Sequence, residues 1–340
     1  MKDPSHWDKT DLHRHLQHAL DLELWTIPLY LTALYSIRDL PKTKHEEFPK
    51  AAKLIFSVVL QEMLHAELVC NLSHALGYAP KFKHPAYDEA KGIPFIHPPH
   101  HAVPDELKGY KVKLQSLNQE SLKLFCIIEL PHPDKEINWE KQSRYNSQPE
   151  LYTALRLGIA SLWDTCYVGD SNNTKQKNNF KEYNQREHKP GFSIIINSRE
   201  AALKAIEAIM EQGEGANADK VPVDFRPHII TDEEVYDAAW YRGNLSHYHK
   251  FRILLHTHHK LPPVYKQEEI TEQGLIANQK MINTYLYFWK GMEDSFNMEG
   301  TEVPLTFWKD MSALGNSITE VWQAGMCPDF NLDVSSPPHI

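Results

Sequence analysis

Ionisable side chains interrupt the apolar stripes of three predicted helices. Glu23 takes a core-facing position in the first of these helices, and Glu62 and His65 take two consecutive core positions in the second. His247 interrupts the stripe of a later helix in the same way. A buried carboxylate without a partner is costly, so such a group is normally neutralised, paired or bound to a metal ion. The pattern therefore predicts a metal centre inside a helical core.

The spacing of Glu62 and His65 puts a carboxylate and an imidazole side by side, because residues three apart are neighbours on one helix face. Facing helices of a bundle can bring such pairs to one or two metal ions. A single Glu-x-x-His pair arises by chance in many helices, but Asn244 and His247 repeat the spacing elsewhere in the chain. Mixed oxygen and nitrogen donors suit non-haem iron, with manganese and zinc as alternatives.

Helical periodicity assigns these residues to one all-α domain that covers residues 1–340. Pro28 predicts a kink in the first helix, and Gly77 predicts the end of the second. Five core helices are predicted at about 11–37, 50–76, 149–163, 198–212 and 232–258, and two further C-terminal helices at about 274–296 and 304–324.

Residues 78–148 interrupt this pattern as a long, proline-rich insertion. The apolar run from Leu122 to Ile128 fits either a short strand or a short helix. The insertion has too little periodic apolar spacing to build a core of its own. We therefore expect an irregular crossover that covers the bundle as a lid or a wall of a pocket.

Composition limits the partners of the protein. The net charge of -9 argues against nucleic acid or an anionic membrane, since both require clustered positive charge. No segment approaches the roughly 20 apolar residues of a membrane span, and the first residues lack the apolar region of a signal peptide. The four cysteines include no Cys-x-x-Cys pair, so inert thiols are expected. We predict a cytoplasmic protein.

Five short segments resemble the motifs of a known family. The segment from Leu22 to Leu31, LELWTIPLYL, resembles its first-helix signature, and Glu62-Met63-Leu64-His65 with the residues that follow resembles its second. Three later segments also match: Pro149-Glu150-Leu151-Tyr152, Glu211-Gln212-Gly213-Glu214-Gly215 and Leu245-Ser246-His247-Tyr248. The chain thus resembles, over residues 10–325, the ferritin-like family that includes the iminophenyl-pyruvate dimer synthase domain of the violacein and rebeccamycin pathways.

This resemblance implies a ferritin-like bundle and a set of metal ligands. The family usually has Glu three residues before its last ligand His, where this chain has Asn244. A missing carboxylate weakens a second metal position, so the resemblance implies one ion or an asymmetric pair. The implied ligands are Glu23, Glu62, His65, Glu211 and His247.

Glu211 is the ligand for which the sequence leaves alternatives. It lies near a helix end and off the centre of its apolar stripe, whereas Glu207 lies closer to that stripe. Glu214 and Glu150 are further candidates, although the helix dipole also favours an acid in a first turn such as that of Glu150. Glu23 precedes Glu62 by 39 residues, and Glu211 precedes Asn244 by 33. Because ferritin-like bundles pair their helices in two similar halves, these similar separations favour Glu211.

The expected function is that of an iron-dependent oxidoreductase that uses dioxygen or peroxide on a small organic substrate. A non-catalytic metal-binding protein and a structural bundle that has lost its metal are the alternatives. The sequence identifies neither the substrate nor a catalytic residue, and it is compatible with a homo-oligomer.

Overall fold

The structure is a computed structural model that describes residues 1–44, 47–99, 103–131, 137–169, 173–179, 194–213 and 245–332. Within these ranges the chain forms α-helices and isolated single-residue bridges but no β-strand. The eight helices are α1 (Lys9–Leu34), α2 (Lys50–Ala75), α3 (Gln119–Ile128), α4 (Gln148–Cys166), α5 (Arg199–Gly213), α6 (His247–His256), α7 (Glu272–Asn297) and α8 (Leu305–Gln323).

The all-α class is confirmed, and six predicted helices agree with the structure to within three residues at each end. The exception is the helix predicted at 232–258, of which the described part is α6. Residues 232–244 lie outside the described ranges. All four cysteines are free thiols, as expected.

The long pair α1 and α2 forms the centre of the bundle. A capping box between Asp8 and Asp11 starts α1, which then runs without interruption through Pro28. After α2 the chain turns at Gly77, whose φ of 70° lies in the left-handed region that glycine tolerates. By length and composition α2 could cross a membrane, but 89% of its most apolar window is buried against the rest of the protein. The apolar side chains of α2 therefore pack in the protein core.

Helix α3 lies inside the segment that we expected to be irregular. Asn118 caps it by accepting hydrogen bonds from the backbone N–H groups of Glu120 and Ser121. The helix packs against α6, and all of its large apolar side chains are buried. The insertion thus contributes a helix to the bundle, and the ambiguous run from Leu122 to Ile128 is helical.

The C-terminal helices pack on each other, and both are tied to the N-terminal part of the chain. The Trp322 indole on α8 donates to the backbone oxygen of Thr32 on α1 at 3.0 Å. The Trp289 indole on α7 donates to the backbone oxygen of Phe82 at 3.1 Å. Gly315 on α8 lies so close to Tyr35 that a Cβ atom there would be 2.2 Å from the tyrosine ring.

We expect Gly315→Ala to lower the free energy of unfolding by about 1–3 kcal/mol, because the added methyl overpacks the contact with Tyr35. Gly291→Ala is the matched control on α7, where the nearest atom to an added Cβ is 4.0 Å away. Alanine there should be neutral or stabilise by up to about 1 kcal/mol, since glycine is a poor helix former. Urea denaturation measures both. Equal stability of the two variants would contradict the close packing of α8 on α1.

Candidate metal centre

Five ionisable residues from four elements meet in the core of the bundle. Glu23 comes from α1, and Glu62 and His65 come from α2. Glu129 directly follows α3, and His247 is the first residue of α6. Each side chain is at most 1% exposed. Three acids and two imidazoles therefore share a volume that bulk water does not reach.

One oxygen of each carboxylate is held by a neutral donor of the protein. These hydrogen bonds fix how each acid is turned and leave its second oxygen free for another partner. The donors are Gln148 (3.2 Å) and Tyr152 for Glu23 Oε1, Thr26 (2.8 Å) for Glu62 Oε2, and Tyr30 (2.6 Å) for Glu129 Oε1.

The second oxygen of each carboxylate faces a histidine Nδ1 atom. Glu23 Oε2 lies 3.3 Å from Nδ1 of His65. Glu62 Oε1 lies 2.8 Å from Nδ1 of His247, and Glu129 Oε2 lies 3.5 Å from the same atom. The two imidazole rings are nearly parallel, with their centroids 5.3 Å apart. The free oxygens and the Nδ1 atoms thus point into one shared space.

The environment of His65 indicates which of its ring nitrogens carries the proton. Its Nε2 lies 3.1 Å from the side-chain oxygen of Gln212, which can only accept a hydrogen bond. Nε2 therefore carries a hydrogen. Nδ1 faces Glu23 Oε2, and these two atoms are satisfied either by a proton on Nδ1 or by a metal ion that both of them bind.

His247 has no such support on either side of its ring. Within the described part of the chain, both of its nitrogens are buried without a hydrogen-bond partner, as are Glu62 Oε1 and Glu129 Oε2. An unsatisfied buried polar atom costs about 1–3 kcal/mol, and four such atoms in one place call for an explanation. A metal ion bound by His247 Nδ1 and the two carboxylate oxygens explains three of them.

The pKa shifts follow from burial and from the crowding of like charges. Desolvation raises the pKa of Glu62 well above its usual value, and the neighbouring charges of Glu129 and Glu23 add to the effect. Desolvation also opposes ionisation of Glu23, but His65 and the hydrogen-bond donors outweigh it, so the pKa of Glu23 is lowered. Desolvation lowers the pKa of His247, which favours the neutral imidazole that metals bind.

The donor set fits a divalent transition-metal ion. Ligand atoms of Glu62, His65 and His247 lie within 4.8 Å of one another, close enough to surround one ion after small adjustments. Carboxylate and imidazole together suit iron, manganese and zinc. Glu23 and Glu129 border the same space, so a second ion would also find donors there.

Glu211 does not reach this cluster. Its side chain is exposed on the last turn of α5, and its neighbour Gln212 is the residue that turns inward to His65. The structure therefore places Glu211 away from the cluster and brings its neighbour Gln212 to His65. Glu207 is exposed as well, and Glu150 accepts hydrogen bonds from Asn146 at the start of α4. Glu214 and Asn244 lie outside the described residues.

Substituting Gln212 and Glu211 one at a time shows which of the two residues supports metal binding. We expect Gln212→Leu to weaken metal binding by about 10–100-fold, because His65 loses the acceptor that fixes its tautomer and orientation. Glu211→Leu should change metal affinity by less than about twofold, since that side chain points to solvent. Competition with a metal-binding dye would measure both dissociation constants. A large loss in Glu211→Leu with none in Gln212→Leu would reverse the assignment.

Sequence reasoning missed Glu129, Gln148 and Gln212. Glu129 stands in the run Ile127-Ile128-Glu129-Leu130, where a single acid between apolar residues is the signal that could have found it. The acid could not be assigned to the core face of a helix, because the apolar run was too short to show whether it forms a helix or a strand. Gln148 and Gln212 carry no charge, so nothing in their type marks them as neighbours of a metal site.

Comparisons with known proteins agree with this architecture. A family model described as Ferritin-like matches residues 16–256, an interval that contains all five members of the cluster. A crystal structure of a ferritin-like protein from Caulobacter vibrioides aligns with a TM-score of 0.72 and 28% sequence identity. The alignment covers 96% of this chain and 99% of that one, so the likeness extends over the C-terminal helices. No curated protein matches the chain.

Proposed function

Because the chain belongs to the ferritin-like family, we propose that its buried cluster holds non-haem iron and that the protein is an oxidoreductase. Its oxidant would be dioxygen or peroxide, and its substrate would be a small organic molecule. Manganese or zinc could occupy the same donors, but only iron and manganese among these metals support redox chemistry.

The convergence of unsatisfied atoms carries the proposal. His247 Nδ1 lies 2.8 Å from Glu62 Oε1 and 3.5 Å from Glu129 Oε2, and the three buried atoms lack the alignment of a regular hydrogen bond. A single proton on Nδ1 can point at only one of the two carboxylates. One metal ion can bind all three atoms at once, which supports a metal site over a structural ion pair.

The protein's own groups prepare the site for an ion. Tyr30 and Tyr152 each donate to one carboxylate oxygen, so the acids Glu129 and Glu23 are oriented before any metal arrives. Burial raises the pKa of both tyrosines well above 10, with Glu129 and Glu23 adding to the shift, so both hydroxyls keep their protons at neutral pH. Bound iron would supply an open coordination position for the oxidant and a change of oxidation state.

One tightly bound ion is the stoichiometry that we propose. Five donors line the site, and Asn244 stands where the family usually has a carboxylate. A second divalent ion would lack that charge in an interior of low dielectric, where the attraction is large. We therefore propose an asymmetric centre in which a second ion binds weakly or not at all.

The likeness to the iminophenyl-pyruvate dimer synthase domain supports the metal and not the reaction. That domain works within much larger proteins, so transfer of its substrate to this chain would rest on fold alone. We propose a small-molecule substrate, a cytoplasmic location, and no nucleic-acid or membrane partner. Assembly into a homo-oligomer is compatible with this function.

The function is tested by metal content and oxidant consumption. Protein loaded anaerobically with Fe(II) should hold about one ion per chain by elemental analysis, and should consume dioxygen repeatedly when a reductant is supplied. A storage protein would consume oxidant only in proportion to the iron added. A structural bundle would bind no stoichiometric metal. Either of these last results would replace the oxidoreductase by the corresponding alternative.

A further inference from the structure

A small cavity reaches the candidate metal centre from outside, between the first turn of α4 and the last turn of α5. Glu129, Gln148 and Tyr152 line its polar side, and all three also belong to the site or touch it. Its other side is lined by Pro149, Ile209, Met210 and Gly213. Met210 is the one of these seven that is partly exposed, so it marks the mouth.

Two acceptor atoms in this cavity have no donor. Gln148 donates its amide hydrogen to Glu23, which fixes the amide orientation and leaves the Gln148 side-chain oxygen without a partner. Glu129 Oε2 lacks a regular hydrogen-bond donor as well, because Tyr30 donates to the other oxygen and His247 Nδ1 lies 3.5 Å away. Both residues are at least 95% buried. A molecule that enters here meets acceptors, so it must bring N–H or O–H groups to satisfy them.

The size and charge of the cavity further limit which molecules can enter it. The cavity volume is about 10 Å³, roughly the space that one water molecule needs and far below the roughly 300–1,000 Å³ of pockets that hold drug-sized ligands. Its lining includes one carboxylate and no cationic side chain. A carboxylate without a cationic side chain beside it disfavours an anionic ligand.

From these observations we infer that this cavity is the access channel of the site and that it admits a hydrogen-bond donor of about the size of water that is uncharged or cationic. A reactant that carries a carboxylate is disfavoured by Glu129 at the inner end. The inference builds on the proposed function, because a channel matters only if it leads to a reactive centre.

Thiol labelling of metal-free protein tests the channel without relying on any bound metal. Met210→Cys puts a thiol at the mouth, and Leu203→Cys is the matched control, two turns earlier on α5 and also partly exposed. Each variant is treated with a cationic trimethylammonium and an anionic sulfonate methanethiosulfonate reagent of similar size. Peptide mass spectrometry separates the introduced thiol from the four native ones.

We expect the cation-to-anion rate ratio to be at least about fivefold higher at position 210 than at position 203, because Glu129 lies at the end of the channel. Adding Glu129→Gln to Met210→Cys should bring the ratio down to that of the control. Gly213→Cys provides a second position if Met210→Cys does not fold. A Cβ atom there would lie 3.4 Å from Glu129 Oε2, so it should show an even larger ratio.

The result that overturns the inference is an equal ratio at both positions, or a ratio at position 210 that survives Glu129→Gln. Failure of the proposed function is a separate result, namely the absence of stoichiometric iron in the unmodified protein. The labelling rates do not depend on iron, so either idea can fail alone.

Discussion

Glu62→Leu is expected to abolish stoichiometric metal binding and, at the same time, to make the metal-free protein more stable. Glu62 is fully buried, and one of its oxygens has no hydrogen-bond partner in the described part of the chain. Its pKa is raised well above the usual range by desolvation and by neighbouring acids. Glu62 therefore destabilises the metal-free fold.

The size of the gain follows from what leucine removes and what it leaves intact. Replacing a poorly paired buried ionic group by an apolar one of similar volume stabilises many proteins by about 1–4 kcal/mol. Thr26, which donates to Glu62, also lies 2.7 Å from the backbone oxygen of Glu23 and can donate there instead. The substitution therefore creates no new unsatisfied donor.

Glu67→Leu is the matched control for this experiment. Glu67 is a fully buried acid on the same helix, but it accepts hydrogen bonds from the backbone and side chain of Asn179. Its removal should cost about 1–3 kcal/mol, because the donors of Asn179 lose their acceptor, while metal binding stays intact. Urea denaturation and elemental analysis give both quantities. A Glu62→Leu protein that is less stable and still binds metal would identify Glu62 as a structural residue.

Glu129→Gln is expected to weaken metal binding by about 100-fold or more. Glutamine keeps the oxygen that accepts from Tyr30, so the local fold is preserved, but the charge facing His247 is lost. Loss of a ligand carboxylate in a low-dielectric interior should exceed the 10–100-fold typical of residues that only support a ligand.

Glu120→Gln removes the same charge from the same region of the chain without touching the site. Glu120 is exposed on α3 and pairs with Lys123. Exposed ion pairs contribute little to stability, so the Glu120→Gln variant should bind metal as tightly as the unmodified protein. Isothermal titration with Fe(II) under anaerobic conditions compares the three proteins. Equal affinity in all of them would remove Glu129 from the centre and leave the ligands Glu62, His65 and His247.

The sequence predicted those parts of the molecule whose periodicity is long and regular. The helices α1 and α2 are 26 residues each, so an acid such as Glu23 or Glu62 stands out against many apolar neighbours. The structure brings these two together with His65 and His247. The ten-residue helix α3 offers too few turns for such contrast, and its terminal acid Glu129 was overlooked.

The exposed position of Glu211 has a different explanation. Near the end of α5 a shift of one residue rotates the side chain by about 100°, which exchanges an exposed position for a buried one. A motif resemblance identifies the segment but not which of its residues faces the core. An acid was chosen over the neighbouring amide because carboxylates are the commoner metal ligands. The neutral residues around the carboxylates, such as Thr26 and Tyr152, could be assigned only once the helices were packed.

A crystal structure of the full chain loaded with Fe(II), with data collected on both sides of the iron absorption edge, tests the metal centre most directly. We expect one strong anomalous peak about 2 Å from ligand atoms of Glu62, His65 and His247, with at most a weak second peak toward Glu23. Iron at another place, or an ordered water hydrogen-bonded to these residues in iron-loaded crystals, would contradict the assignment.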